Sequence, residues 1–82
     1  MGMKTMNSHL NNLNILCEMG FAPTENVDVY SKQHGPARIR VIFFEFGVVT
    51  VESISSPNRR SKIWHLKNFF EALNLLEQLG VK

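Results

Sequence analysis

Three basic side chains, Arg59, Arg60 and Lys62, lie close together in the sequence beside the single tryptophan, Trp64. Side chains of this type contact phosphate groups, and each such contact makes binding to a nucleic acid more sensitive to salt. A solvated surface loop has the same composition. The cluster therefore predicts either a phosphate contact or an ordinary polar loop, and both interpretations stay open.

The residue types that bind metals or catalyse reactions are scattered along the chain. His9, His34, His65 and Cys17 lie far apart, without the spacing of metal ligands. The sequence contains no nucleophile elbow, glycine-rich phosphate loop or paired acid and base. We therefore expect no enzyme activity, no catalytic residue, no metal, no cofactor and no small-molecule substrate. Cys17, the only cysteine, fits best as an apolar core residue of a helix.

Length and composition predict one small globular domain. The 82 residues are 44% hydrophobic, and nine Lys and Arg against seven Asp and Glu give a net charge of +2, which is too small to indicate nucleic-acid binding by itself. No apolar run approaches the about 20 residues that span a bilayer, and the start lacks the apolar stretch of a signal peptide. We expect an intracellular protein, cytoplasmic or nuclear, without membrane contact. Residues 1–5 are predicted to be a flexible lead or tag, and residues 6–82 the domain.

Apolar periodicity predicts the order α-β-β-β-α. A helical stripe covers residues 6–19, and three β-rich segments follow at residues 27–31, 38–44 and 48–54. The rest of the chain, to Leu79, is predicted to be a second helix whose apolar face carries Leu66, Phe69, Phe70, Leu73 and Leu76. The fold class expected is α+β, a three-stranded antiparallel sheet with two helices packed on one face.

One helix ending occurs twice, as "LNILCEMGF" at residues 13–21 and as "LNLLEQLGV" at residues 73–81. Glycine followed by an apolar residue closes a helix in the Schellman motif. The likeness does not extend beyond these nine residues, so a shared cap explains it better than a duplication.

The element order and several short motifs resemble the double-stranded-RNA-binding domain family, over about residues 6–81. "LNILCEMGF" is similar to that family's first-helix ending, and "HGPARIRVIF" is similar to its Gly-Pro loop and second strand. The resemblance implies recognition of A-form RNA by shape, across two minor grooves and the phosphates between them. It also implies three RNA-contacting regions: helix one, the loop after strand one, and a lysine cluster that opens helix two.

This sequence departs from the family at all three regions. Ile15 stands where the resemblance implies a polar contact, Arg38 replaces a histidine in the loop, and only Lys67 remains of the lysine cluster when the apolar face sets the alignment. RNA binding is therefore the alternative function, through Gly35, Pro36, Ala37 and Arg38 of the loop and a cationic rim of Arg59, Arg60, Lys62 and Lys67.

Apolar residues replace the expected RNA contacts, which favours a protein interface. Ile15 with Met19 forms one apolar strip, and Ile63 with Trp64 forms another at the expected start of helix two; packing of Ile63 and Trp64 under the loop is the alternative. Val49 and Val51 belong to the third strand, predicted to be an unprotected edge that pairs with another strand. The preferred hypothesis is a non-catalytic module that binds another protein or itself within an RNA-processing or RNA-silencing assembly. An unrelated adaptor or inhibitor domain stays open.

Overall fold

The computed structural model describes residues 2–55 and 60–81, with side chains from Leu10 onward within those ranges. Over these residues two helices and five strands follow one another along the chain: α1 (Gly2–Glu18), β1 (Ala22–Pro23), β2 (Val29–His34), β3 (Ala37–Phe43), β4 (Val49–Ser55), β5 (Arg60–Leu66) and α2 (Phe69–Gln78). A short 3-10 turn, Glu45–Gly47, lies between β3 and β4.

The five strands form one antiparallel sheet in which each strand pairs with its neighbours in sequence. The chain is therefore α+β with two helices, but the predicted three-stranded α-β-β-β-α fold is wrong. The additional strands are the two-residue β1 and the seven-residue β5. Because β5 pairs with β4 along its whole length, β4 is an inner strand and not the edge that the sequence predicted.

Residues 60–66 form a strand where the sequence predicted the start of a helix. In β5 the side chains of Trp64 and Leu66 are half-buried and those of Ile63 and His65 are exposed, which is the alternation of a strand that covers a core on one face. The helix begins later because Asn68 caps it: Asn68 Oδ1 accepts a hydrogen bond from the Glu71 backbone N–H at 2.9 Å. Asparagine three residues before glutamate is a helix-start signal, and it marks the true start of this helix better than the apolar spacing does.

The core lies between the sheet and the two helices. Strands β3 and β4 contribute Ile39, Val41, Val49 and Val51, and α2 contributes Phe69, Ala72 and Leu76. Phe70 is 71% exposed, so its predicted place on the buried face of the helix is wrong and Ala72 takes it. The other face of the sheet carries the ion pair between Arg40 and Glu52, 2.9 Å apart, and the hydrogen bond between Thr50 Oγ1 and His65 Nδ1 at 3.1 Å.

The side of α1 that packs on the core differs from the predicted stripe. Leu16 is fully buried and Ile15 and Met19 pack against the core, whereas Leu10 and Cys17 are exposed. The prediction that Cys17 is a core residue is therefore wrong. The predicted stripe of Met6, Leu10, Leu13, Leu16 and Cys17 has helical spacing, but of these, among the side chains that the structure describes, Leu16 is the one in the buried core, and its neighbours there are the apolar residues next to the C-terminal cap.

The repeated helix ending is a repeated cap. In α1 the Phe21 N–H donates to Leu16 O and the Gly20 N–H to Cys17 O, and in α2 Val81 and Gly80 make the same two bonds to Leu76 and Glu77. The two glycines have φ values of 97° and 83°, in the left-handed region that the motif needs. Because the apolar residue after each glycine is buried, both helices end against the same core, as the capping interpretation predicted.

Candidate functional site

Five of the six phenylalanines gather at one end of the molecule, where β3 turns into β4 and β5 leads into α2. They line an open groove of about 790 Å³ and are Phe43, Phe44, Phe46, Phe69 and Phe70. The sixth, Phe21, is buried in the core. Three of the five groove phenylalanines are exposed, so the groove presents apolar surface to solvent.

Two of these rings form the fixed base of the groove. Phe43, at the end of β3, stacks on Phe69, at the start of α2, with ring centroids 5.8 Å apart and an interplanar angle of 24°. Tyr30 meets Phe43 edge-on at 6.3 Å. Aromatic pairs at these separations are stabilising beyond the area they bury. The base therefore ties the sheet to the helix beneath the exposed rings.

The other three rings project from the rim. Phe44 is 55% exposed, Phe70 is 71% exposed and Phe46 is 94% exposed, and we call these three residues the phenylalanine surface. Single exposed apolar residues are normal on a small protein. Here three large exposed aromatic side chains line one groove, and clustered exposed apolar surface marks binding sites.

Phe46 holds its exposed position at a conformational cost. Its φ is 61°, and it is the one non-glycine residue with a positive φ in the part of the chain that the structure describes. The left-handed region costs an L-residue roughly 1–2 kcal/mol, and bulky side chains are outliers there. Gly47, with φ of 78°, completes the turn. The strained backbone places the Phe46 ring in solvent, where it gains no packing from its own chain.

The charged groups that line the groove are acidic. Asp28 and Glu45 carry carboxylates, and Asn12 and Asn68 are the other polar lining residues. The Asp28 backbone is held in place because its N–H donates to Asn26 Oδ1 at 2.9 Å and its carbonyl accepts from Phe43 N at 2.9 Å. Two carboxylates among aromatic rings favour a cationic or neutral ligand and disfavour phosphate.

The residues predicted to contact RNA do not form one surface. Gly35 and Pro36 make the two-residue turn between β2 and β3, with Ala37 starting β3, and Arg38 Nη1 donates to Ser31 Oγ on the face away from the helices. By strand register, Arg60 and Lys62 are on the helix-covered face. Lys67 follows the opposite end of β5, and Arg59 lies outside the described residues.

The predicted protein-interface residues are also divided. Val49 and Val51 are buried in the core, at 1% and 0% exposure, so they form no accessible edge. Ile15, Met19 and Trp64 pack against that core as partly buried residues. Ile63 alone of the six is more than half exposed, at 53%. Ile63 and Trp64 thus point to opposite faces of β5. Trp64 packs against the core, whereas Ile63 is exposed and available for contact.

The phenylalanine surface is not among the sites predicted from the sequence. The sequence feature that could have indicated it is the pair of doublets Phe43-Phe44 and Phe69-Phe70. Neighbouring side chains of an extended segment point to opposite faces, so Phe43 and Phe44 are not expected on one face, and neighbours on a helix are about 100° apart, at the limit of one apolar stripe. Phe46, beside Gly47 in a tight turn, had no core to enter.

Among the described residues, no group of histidine, cysteine and acidic side chains is placed to hold a metal ion. Neither helix, in the same part of the chain, is long and apolar enough to cross a membrane. Comparisons with family models, curated proteins and solved structures found no match to this chain. The likeness to double-stranded-RNA-binding domains therefore stays a prediction, based on the helix ending and the Gly-Pro loop.

Proposed function

We propose that this chain is a non-catalytic protein-binding module that holds a partner protein against the phenylalanine surface. The observation that carries the proposal is Phe46, an aromatic ring that is 94% exposed on a backbone with φ of 61°. Strain of this kind persists where the exposed geometry is used. Contact with a partner would bury the ring and offset its cost.

The shape of the site supports a protein as the ligand. Phenylalanine, with two side-chain torsions, buries a large area for little loss of conformational entropy, and aromatic residues are enriched at the centres of interfaces. Phe43 and Phe69 stack on each other and line the same groove as Phe44 and Phe70, so part of the surface that the partner meets is preorganised. Preorganisation lowers the entropic cost of binding.

The charge of the groove defines the partner further. Asp28 and Glu45 favour a segment that carries lysine or arginine beside apolar side chains, because a cation is attracted both to the carboxylates and to the ring faces. A duplex RNA would bring phosphates toward the same carboxylates. The RNA-processing setting that the family resemblance implies stays a prediction and does not bear on this step.

The test compares matched variants of the full chain as bait. Wild type, the double variant F46S/F70S and the control Val27→Ser, at an 82% exposed position, are immobilised, and proteins captured from cells are quantified by mass spectrometry. A candidate that wild type and the control retain and the double variant loses is then purified and titrated by calorimetry. Each of two hot-spot rings is worth about 2 kcal/mol or more, so we expect at least a 100-fold rise in Kd for F46S/F70S and little change for Val27→Ser.

Two results would contradict the proposal. One is equal affinity of the purified partner for wild type and F46S/F70S. The other is tight binding of a duplex of roughly 16 base pairs that weakens steeply with salt and is unaffected by F46S/F70S. The second result would favour double-stranded RNA as the ligand.

A further inference from the structure

Strand β5 has one paired side and one open side. It pairs with β4 through all seven of its residues, and no other strand among the described residues pairs with it. The opposite edge of the sheet is β1, two residues long and containing Pro23, which has no N–H to donate. The sheet therefore presents one long edge, and that edge is β5.

The hydrogen-bond phase of the sheet shows which backbone groups of β5 are open. Phe44 N–H donates to Val48 O at 2.8 Å, and hydrogen-bonded pairs alternate along an antiparallel ladder. By this alternation the even-numbered residues of β4 bond to β3 and the odd-numbered ones bond to β5. Since Val51 pairs with Trp64, the even-numbered residues of β5 bond to β4. The N–H and C=O groups of Ser61, Ile63 and His65 point outward.

We propose that two copies of this chain form a symmetric dimer by antiparallel pairing of their β5 strands, centred on Ile63. In this arrangement Ile63 exchanges two N–H···O bonds with Ile63 of the second copy, and Ser61 and His65 of each copy exchange two with each other. All six open N–H groups of the two strands are then paired. The result is a continuous ten-stranded sheet.

A backbone contact just after β5 selects this register over its neighbours. The Lys67 N–H already donates to Glu71 Oε1 at 3.1 Å. A register centred on Trp64 would need that same N–H to bond to Ser61 of the second copy, so it conflicts with the start of α2. A register centred on Lys62 would place two lysines directly opposite each other, which is repulsive.

The side chains of β5 are complementary to themselves in the Ile63-centred register. The two cations are in the first half of the strand and the large apolar residues in the second half, so Arg60 opposes Leu66 and Lys62 opposes Trp64 of the second copy. A lysine beside a tryptophan ring is a favourable cation–π pair. On the other face the exposed Ile63 side chains meet each other. Parallel in-register pairing would instead set Arg60 against Arg60 and Lys62 against Lys62.

The dimer contact leaves the phenylalanine surface free. That surface lies at the end of the sheet where β5 leads into α2. The two-fold axis through Ile63 reverses the second copy, so the two phenylalanine surfaces come to opposite ends of the joined sheet. The dimer would therefore bind two partner molecules, or two sites of one, a prediction that goes beyond the proposed function.

The oligomeric state is measured on the full chain by light scattering coupled to size exclusion. Wild type at several hundred micromolar is expected at twice the 9.4 kDa of one chain. Ile63→Lys is expected at 9.4 kDa, because it sets two like charges opposite each other across the two-fold axis. Within its own chain the lysine is paired with Glu52 of β4, which compensates its charge in the monomer. Val27→Lys, at an 82% exposed position away from β5, makes the same charge change and should stay dimeric. A monomeric wild type, or a dimeric Ile63→Lys, would overturn the proposal.

Cysteine cross-linking tests the register and does not depend on how Ile63→Lys folds. In a background of Cys17→Ser, Ile63→Cys places two sulfurs on a pair whose Cα atoms lie about 5.5 Å apart, within disulfide range. Ser61→Cys is the matched control, since its copies lie four positions apart. Rapid covalent dimer from Ile63→Cys and little from Ser61→Cys is the expected result. Equal cross-linking, or none from Ile63→Cys, would contradict the register. Neither result depends on Phe46 or Phe70, so this proposal and the proposed function fail separately.

Discussion

Phe69 and Phe70 are consecutive residues with opposite environments. Phe69 is 8% exposed and stacks on Phe43 at 5.8 Å, whereas Phe70 is 71% exposed on the rim of the groove. The first ring belongs to the core and the second to the phenylalanine surface. Because the two side chains are chemically identical, this pair separates folding from binding within one turn of α2.

Replacing Phe69 by alanine should destabilise the fold strongly. The change removes a buried ring and leaves a cavity between β3 and α2, which costs about 3 kcal/mol or more. Urea unfolding followed by Trp64 fluorescence measures the free energy of unfolding. Phe70→Ala is the matched control and should change that free energy by less than about 0.5 kcal/mol, as at other exposed sites. Similar losses from both variants would mean that Phe70 packs in the fold.

Asn68 should stabilise α2 through its cap. Its side chain accepts from the Glu71 N–H at 2.9 Å, and loss of such a cap costs roughly 1 kcal/mol. Asn68→Ala is therefore expected to lower the midpoint of urea unfolding. Asn74→Ala, at an exposed position in the middle of the same helix, should leave the midpoint unchanged or raise it, because alanine favours helix. A neutral Asn68→Ala would show that the Glu71 contact to Lys67 is sufficient to start the helix.

The parts of the fold that depend on local chemistry could be predicted from the sequence. Gly20 and Gly80 mark helix ends because the Schellman motif needs a positive φ at one position. The turn at Gly35 and Pro36 follows from the restricted backbone of proline beside a glycine. Strands β3 and β4 are β-rich over most of their length, so their approximate positions follow from composition. The first predicted strand, at residues 27–31, overlaps β2 only at residues 29–31, because the second half of β2 is the polar run Lys32, Gln33 and His34.

The parts that depend on tertiary choice could not be predicted in this way. Residues 60–66 have apolar positions at both strand and helix spacing, and the open edge of β4 decides in favour of a strand by supplying backbone partners. Once β5 exists, Val51 has a paired strand on each side, and Trp64 packs against the core as a partly buried residue. The error at one element boundary therefore changed the expected role of residues on two strands. The apolar spacing also predicts Phe70 on the buried face of the helix, so the sequence does not indicate the phenylalanine surface.

The ion pair between Arg40 and Glu52 should contribute little to stability. The two side chains lie 2.9 Å apart on adjacent strands but are 39% and 18% exposed, and pairs of this kind contribute about 1 kcal/mol at most. A double-mutant cycle with Arg40→Met and Glu52→Gln measures the coupling free energy. We expect it to fall further at high salt, because exposed charges are screened. A coupling of several kcal/mol would mean that the pair is effectively shielded from solvent.

Replacing Phe46 by glycine should separate stability from binding. Glycine adopts φ of 61° without steric cost, so the change relieves roughly 1–2 kcal/mol of strain. Part of this gain is lost because glycine makes the unfolded chain more flexible. The net expectation is a free energy of unfolding raised by about 0.5–1 kcal/mol. Partner binding should weaken in the same variant, since the exposed ring is gone.

The matched control for this prediction is Gly47→Ala. A Cβ at Gly47 would meet no atom within 4 Å, but φ there is 78°, so the cost comes from the backbone alone. Gly47→Ala should therefore lower the free energy of unfolding by about 1 kcal/mol. Opposite signs at positions 46 and 47, measured by urea unfolding, would show that the turn is strained at Phe46. A destabilised Phe46→Gly with normal partner binding would instead show that the ring serves the fold, and Phe46 would no longer support a binding function.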